Sequence, residues 1–245
     1  ISLPDVVFGC DITADNSTTY MSFFSQMDTY GDGYAGIGVW RAAFKPLVDR
    51  IADTDIRLQW FCCDRSTGVT DASGNRITLI RDTQSPVAVE YQAVKFIGTG
   101  RDNIKAGVFS GWELGDYIYL RSEEAYMIKM EALAHKGSAE AVTELNSFMK
   151  TRQPDYNYTF TNKADLIEEI IYQKRVEFWG EGLEYIDNRR LNIPVDRTDE
   201  TWGAENNNHF SAGKFRYNQE DRPFLYQLPL SEIENNSQLS PSDQN

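Results

Sequence analysis

The sequence predicts a mainly α fold with irregular loops and a small β-hairpin. Three observations predict it. Residues 117–136, 139–152 and 165–190 each carry the apolar recurrence of a helix that buries one face. Residues 58–63 and 77–80 are short strand-like runs on either side of a turn-rich stretch, DRSTGVTDASGN. Residues 13–38, dense in Gly, Asp, Ser and Thr, follow neither period.

The strongest helical stretch is 165–190, DLIEEIIYQKRVEFWGEGLEYIDNRR, with Ile167, Ile170, Ile171 and Phe178 on its apolar stripe. Asp165, Glu168 and Glu169 fill its first turn and Arg189 and Arg190 close it, as the helix dipole favours. Gly180 and Gly182 interrupt it. Each Gly costs about 1 kcal/mol in a helix interior, so the pair predicts a bend or the close approach of another backbone. Residues 117–136 read as one helix stopped by Gly137, and 139–152 as a second. Two helices joined by a short turn form an αα-hairpin, and 165–190 begins another such unit. This is the spacing of a tetratricopeptide-like αα-hairpin scaffold, although that repeat's consensus is absent.

The remaining elements are shorter. Residues 5–12, DVVFGCDI, read as a strand or a buried extended segment, and 40–51, WRAAFKPLVDRI, as helical, with Pro46 in a first turn or at a break. Residues 13–38 read as one long loop, a length that in compact domains commonly carries function. The organisation expected is a loop- and hairpin-rich ligand region over 1–115, a helical scaffold over 116–191 and an extended C-terminal segment over 192–245.

Charge and composition exclude several functions. A net charge of −13 opposes nucleic-acid binding, which needs a basic stripe, and docking through a basic patch on anionic lipid. Cys10, Cys62 and Cys63 are odd in number and lack zinc-ligand spacing, so they read as buried small residues. DTYGDGY at 28–34 lacks the ligand ladder of a calcium loop, and no metal or cofactor is expected. No apolar run reaches the ~20 residues that span a bilayer. Neither His135 nor His209 has a nucleophile motif beside it, and no phosphate-binding glycine fingerprint occurs. Glu177 and Glu181 lie four apart on one helical face, whereas a glycosidase places its two carboxyls across a cleft. With Arg175 and Arg190 at hand, they read as a structural ion network.

QKRVEFWGEGLEYIDNRRLNIPV resembles the C-terminal signature of the SusD/RagB family, matching at Arg175, Glu177, Phe178, Gly180, Glu181, Gly182, Asp187 and Arg190. Further resemblances lie at Asp55 and Arg57, at Lys95 and Phe96, at Leu120, Arg121, Glu124, Tyr126, Glu131 and Ala132, at Leu145, Asn146 and Arg152, and at Pro229, Glu232 and Asn236. The resemblance implies a SusD-like surface glycan-binding lipoprotein of Bacteroidetes, about twice this length, of which the chain is the C-terminal portion. It implies a helical scaffold beneath variable loops, no catalysis, a glycan ligand and a SusC-like TonB-dependent transporter as partner. It also implies the outer face of the outer membrane as location, with the lipid anchor outside this chain. The chain opens without Met and reads as a fragment or a processed chain. Arg121, Glu131, Arg175, Glu177, Glu181, Asp187 and Arg190 would form the structural network, with Asp55 and Arg57 as a pair.

Aromatic residues make up 13% of the chain, and those of the 13–38 loop fall on no core stripe. They either tack the loop onto the domain or form a sugar-stacking platform. The ligand-binding candidates are Tyr20, Tyr30, Tyr34 and Trp40, with Trp112 in reserve. The alternatives are a helical scaffold that caps the transporter without binding glycan, or capture of a peptide or glycoprotein. A glycoside hydrolase is the third possibility and has the least support.

Overall fold

The computed structural model describes residues 5–13, 15–16, 22–28, 33–35, 41–62, 90–96, 115–221 and 225–243. The chain divides into two units, Ile1–Trp179 and Gly180–Asn245. The fold is mainly helical with small antiparallel sheets.

In the first unit, β1 (Val6–Cys10) is followed by α1 (Phe23–Met27), α2 (Lys45–Asp49), a 3-10 turn (Ile56–Trp60) and β2 (Phe61–Cys62). β3 (Gln92–Ala93), β4 (Tyr117–Arg121), α3 (Ser122–His135), α4 (Glu140–Lys150) and α5 (Lys163–Glu177) complete it. Pro46 occupies the first turn of α2, where its missing N–H costs nothing. The core gathers Val48 and Ile51 from around α2, Leu58 and Phe61, Tyr91 and Ala93, and Tyr172 and Val176 from α5. Beside it, α3 packs on both α4 and α5 through Met127, Met130 and Ala134, which are buried to 1% exposure or less. Ala141, Leu145 and Met149 are the buried face of α4.

Several readings need correction. Residues 117–136 are not one helix: Tyr117–Arg121 is a strand, antiparallel to β1, and the helix begins at Ser122. The acidic pair Glu123 and Glu124 marks that start, as the dipole favours. The 5–12 segment is a strand but not a buried one, since Val7 and Phe8 are 64% and 61% exposed. The 13–38 loop contains the single-turn helix α1. Residues 56–60 form a 3-10 turn, and the short strand after it pairs with Gln92–Ala93; residues 77–80 lie outside the described residues. Cys10 is a partly exposed free thiol. The described residues give no information on Cys63 or on the Cys62 side chain.

The helix α5 ends where its carbonyls find cations. Lys95 Nζ donates to the carbonyls of Glu177 (2.7 Å) and Trp179 (3.1 Å), and Arg121 Nη2 donates to that of Glu177 at 3.2 Å. These groups satisfy acceptors that the last helical turn leaves open. Its N-terminus is capped by Asn162, whose side chain accepts from the Asp165 N–H at 3.0 Å.

The Glu177 carboxylate is 3% exposed and meets three guanidiniums: Arg152 at 3.1 Å, Arg57 at 3.4 Å and Arg121 at 3.4 Å. Arg57 is held in turn by Asp55, which accepts its backbone N–H at 2.9 Å and its Nη2 at 2.7 Å. One aspartate thus caps the 3-10 turn and orients the arginine. Burial alone would push the Glu177 carboxyl up. Its hydrogen bond to Arg152 and the charges of Arg152, Arg57 and Arg121 outweigh that and hold it below the ordinary carboxylate range.

In the second unit, α6 (Leu183–Leu191), β5 (Val195–Asp196), α7 (Asp199–Trp202), β6 (Arg216–Tyr217) and α8 (Leu230–Asn235) follow in order, with β5 and β6 antiparallel. Gly180 and Gly182 take φ of 79° and 85°, the left-handed region that side-chain-bearing residues avoid. Ile233 is the buried apolar residue of this unit among the described residues, and polar ties do much of the holding. Asp196 accepts from Thr198, Thr201 and Arg216, Asp199 pairs with Lys214 at 2.7 Å, and Arg189 donates to the Gln219 carbonyl at 2.6 Å.

Replacing Glu177 by Gln leaves buried guanidiniums without their anion, a change that costs about 3–5 kcal/mol when a buried pair is broken. The depressed carboxyl pKa contributes stability above the unfolded value, about 4.3, and that stability is lost as pH falls through the folded value. Urea unfolding should therefore show wild type falling toward Glu177→Gln below about pH 4.3, the two being furthest apart near neutrality. Equal stabilities at pH 7 would contradict this.

Candidate ligand-binding surface

The ligand candidates of the long loop can be followed at one position. Tyr34 is described; Tyr20, Tyr30, Trp40 and Trp112 lie outside the described residues. Tyr34 is 39% exposed and sits in a short turn fastened to α1. Its N–H donates to Ser25 Oγ at 3.1 Å, and the next N–H, of Ala35, donates to the Ser25 carbonyl at 2.8 Å. Ser25 itself is fully buried, and its N–H donates to Ser22 Oγ at 3.1 Å, the N-cap of α1. Beside it, a Cβ on Gly33 would lie 2.5 Å from the Ser25 Cα, so only glycine lets the turn close on the helix.

Beneath this turn lies a seat of rings. Phe23 meets Phe24, Phe96 and Tyr117 edge-on, with centroids 5.5, 4.9 and 6.0 Å apart. Phe96 continues to Trp179 at 6.4 Å, and Trp179 to Phe61 at 5.7 Å. Edge-to-face pairs of this kind contribute about 0.5–1.5 kcal/mol beyond their buried area. The Tyr117 hydroxyl also accepts the Phe23 N–H at 2.8 Å, tying α1 to β4. Phe23 and Phe24 therefore hold the loop down.

The ring series then comes to the surface. Tyr117 neighbours Tyr119 at 6.5 Å, and Tyr119 lies 5.6 Å from Phe8 with their planes 34° apart. Tyr119 is 58% exposed and Phe8 61%. Two rings this exposed and this near to parallel on a two-stranded ribbon can present faces to a flat, partly apolar ligand such as a sugar ring. Leu120 and Val7 are exposed alongside. Sequence reading missed both rings, because Phe8 lies in a stretch read as a strand or a buried extended segment and Tyr119 in one read as a helix. The signal was present in the YIYL run, strand-like in residue type, ahead of the S-E-E start of a helix.

The residues expected to form the structural network fall into separate groups. Arg121 and Glu177 belong to the cluster described above, and Arg121 also lies 4.8 Å over the Phe178 ring. Its other cations, Arg57 and Arg152, come from outside the 165–190 stretch. Arg175 is partly buried, two positions from Glu177, and residues two apart on a helix do not share a face. Glu131 is buried and meets Lys174 at 3.5 Å and His135 at 3.7 Å. Asp187 and Arg190 pair at 2.6 Å within the second unit, where the partly buried Glu181 also lies. Among the described residues, no cluster of His, Cys, Asp and Glu suits a metal ion, and no helix is long and apolar enough to cross a membrane.

With this fold and surface in view, the comparisons with known proteins are specific. The SusD family (SusD/RagB) model matches residues 91–245, more than half of the sequence, and the chain belongs to that family. A SusD-like carbohydrate-binding protein from Bacteroides vulgatus superposes with a TM-score of 0.65 at 21% identity, covering 96% of this chain and 48% of its own. A SusD superfamily protein from the same species gives 0.63 at 15% identity, with 94% and 44% covered. A SusD-like protein from Bacteroides fragilis gives 0.54 at 17%, with 98% and 54% covered. The chain thus spans about half the length of these structures. No curated protein matches it.

The seat of the Tyr34 turn is testable. Gly33→Ala forces the turn off Ser25, so the Tyr34 and Ala35 amides should lose protection in hydrogen exchange while α3–α5 keep theirs. Unchanged protection of both amides would show that the turn does not depend on that contact.

Proposed function

We propose that the chain is the C-terminal portion of a non-catalytic surface protein that binds glycan and delivers it to a SusC-like TonB-dependent transporter. The observation that carries this reading is the exposed Phe8–Tyr119 ring pair of β1 and β4, in a chain of the SusD family. Sugar rings stack on such faces. By the same family reading, the protein sits on the outer face of the outer membrane, tethered by a lipid outside this chain. Tyr20, Tyr30, Trp40 and Trp112 are proposed to extend the platform together with Tyr34.

Absence of catalysis is part of the proposal. Glu177 is locked by three arginines and held ionised, so it cannot donate a proton as a glycosidase acid must. A glycosidase acid needs a raised pKa, and this environment does the opposite.

Calorimetric titration of the chain against a panel of neutral polysaccharides is the test. Removing one exposed ring, by Phe8→Ala or Tyr119→Ala, should weaken binding about tenfold, taking the ~1–3 kcal/mol of ring stacking on nucleic-acid bases as the guide. Both rings are mostly exposed, so melting temperatures should hold. Binding that survives both substitutions and Tyr34→Ala would move the site. No binding to any glycan would favour a scaffold role.

A further inference from the structure

A cleft is lined by residues other than the rings of β1, β4 and α1. The 153–158 segment, the end of α2 and one face of α5 enclose this cleft of about 360 Å³, lined among others by Arg50, Tyr156, Asn157, Tyr158, Glu169 and Tyr172. We propose that this cleft is a binding site for a single neutral sugar residue or a polyol of that size, separate from the exposed ring surface.

Size sets the first limit. Small-molecule sites run from about 300 to 1,000 Å³, so this one admits a single ring and not a chain of them. Charge sets the second. Glu169 is neutralised by Arg50 at 2.5 Å and also accepts the Tyr156 hydroxyl at 2.9 Å and the Gln173 amide at 2.7 Å. Asp55, at the same cleft, is committed to Arg57. Burial first, then the neighbouring Glu169 charge, raises the Tyr156 phenol, and burial raises that of Tyr172, so both stay protonated. An ionic ligand would find no unbalanced countercharge and would lose its hydration, whereas a neutral one loses far less.

Hydrogen-bonding capacity decides the class. The Tyr158 hydroxyl is buried and has no hydrogen-bond partner among the described residues. A buried polar group in that state is destabilising, and an acceptor brought in by a ligand relieves it. Asn157 is exposed at the rim, and the phenol oxygen of Tyr156 and the Glu169 carboxylate keep accepting lone pairs. A ligand covered in hydroxyls both donates and accepts, which an apolar ligand does not.

The walls are fixed but the Tyr158 ring is not tied by its hydroxyl. Asn146 holds the Tyr158 backbone from both sides, accepting its N–H at 2.7 Å and donating to its carbonyl at 3.0 Å. Thr54 donates to Asp155 at 2.6 Å, and the Arg50 guanidinium stacks 3.9 Å over the Tyr172 ring. Meeting a ligand requires the Tyr158 side chain to swing about its Cα–Cβ bond, because turning the ring about Cβ–Cγ leaves the para hydroxyl on its axis.

The test is amide NMR on the labelled 245-residue chain, titrated with D-glucose, D-galactose, D-mannose and, as the charged control, D-glucuronate. At least one neutral hexose should shift amides of 50–55, 153–158 and 169–173 with millimolar affinity, and glucuronate should bind several-fold more weakly. Tyr158→Phe and Asn157→Ala should each weaken the hexose about 3–10-fold, the loss of one hydrogen bond, without lowering the melting temperature. The shifts should persist in Tyr119→Ala, which acts only on the ring surface. No shift at these amides with any hexose overturns the proposal. So does Tyr158→Phe that binds as wild type and melts higher, the behaviour of a hydroxyl with no ligand to meet. Shifts confined to β1 and β4 overturn it too, while leaving glycan binding at the ring surface intact.

Discussion

The rest of the first unit depends on one buried carboxylate. Glu177 stands at the C-terminal end of α5, where the helix dipole disfavours negative charge by about 0.3–1 kcal/mol. Three guanidiniums reverse that penalty. They reach it from 120, 56 and 25 residues away in sequence, so a single side chain joins the 3-10 turn, β4 and the end of α4 to α5. The joint is charge-balanced: Arg57, Arg121 and Arg152 face Asp55, Glu123 and Glu177. Removing any one member of such a set strands a buried charge, and that is the costly change.

The surface follows from that joint. Arg121 is the last residue of β4, and fixing it fixes the strand that carries Tyr117 and Tyr119. The Tyr117 ring packs against Phe23, and its hydroxyl accepts the N–H that starts α1. Tyr119, two residues on, stays exposed beside Phe8. Rings of one chemical type thus divide into packing and presenting roles within a single strand. Lys95 ties the same region from the other side: it caps the α5 carbonyls and lies 4.8 Å over the Trp60 ring.

The two units are held by different physics. The first buries a continuous set of aliphatic and aromatic side chains. The second leaves Phe210, Tyr226 and Leu230 largely exposed and relies on Asp196, Asp199 and Gln219 to bridge backbone and side chains. Hydrogen bonds of that kind give about 0.5–1.5 kcal/mol each, so this unit draws its order from many small terms.

The sequence by itself determined that three helices lie between 117 and 177, because their apolar periods, the Gly137 stop and the acidic turn at Asp165 are local properties; it did not separate β4 from α3. It determined the break after Glu177, since two glycines together cannot continue a helix cheaply, and it determined the pairing of Asp55 with Arg57 two residues apart. Its GEG signature carried the family. Only the tertiary structure decided what Glu177 pairs with, because Arg57 and Arg152 are distant in sequence and no period links them. It also decided that Phe8 and Tyr119 stay open: Tyr117 and Tyr119 share a face of β4, but Phe23 packs against Tyr117 and leaves Tyr119 58% exposed, and residue type alone cannot tell a covered ring from an open one. Tyr158 belongs with them, since only the fold shows its hydroxyl buried without a hydrogen-bond partner among the described residues.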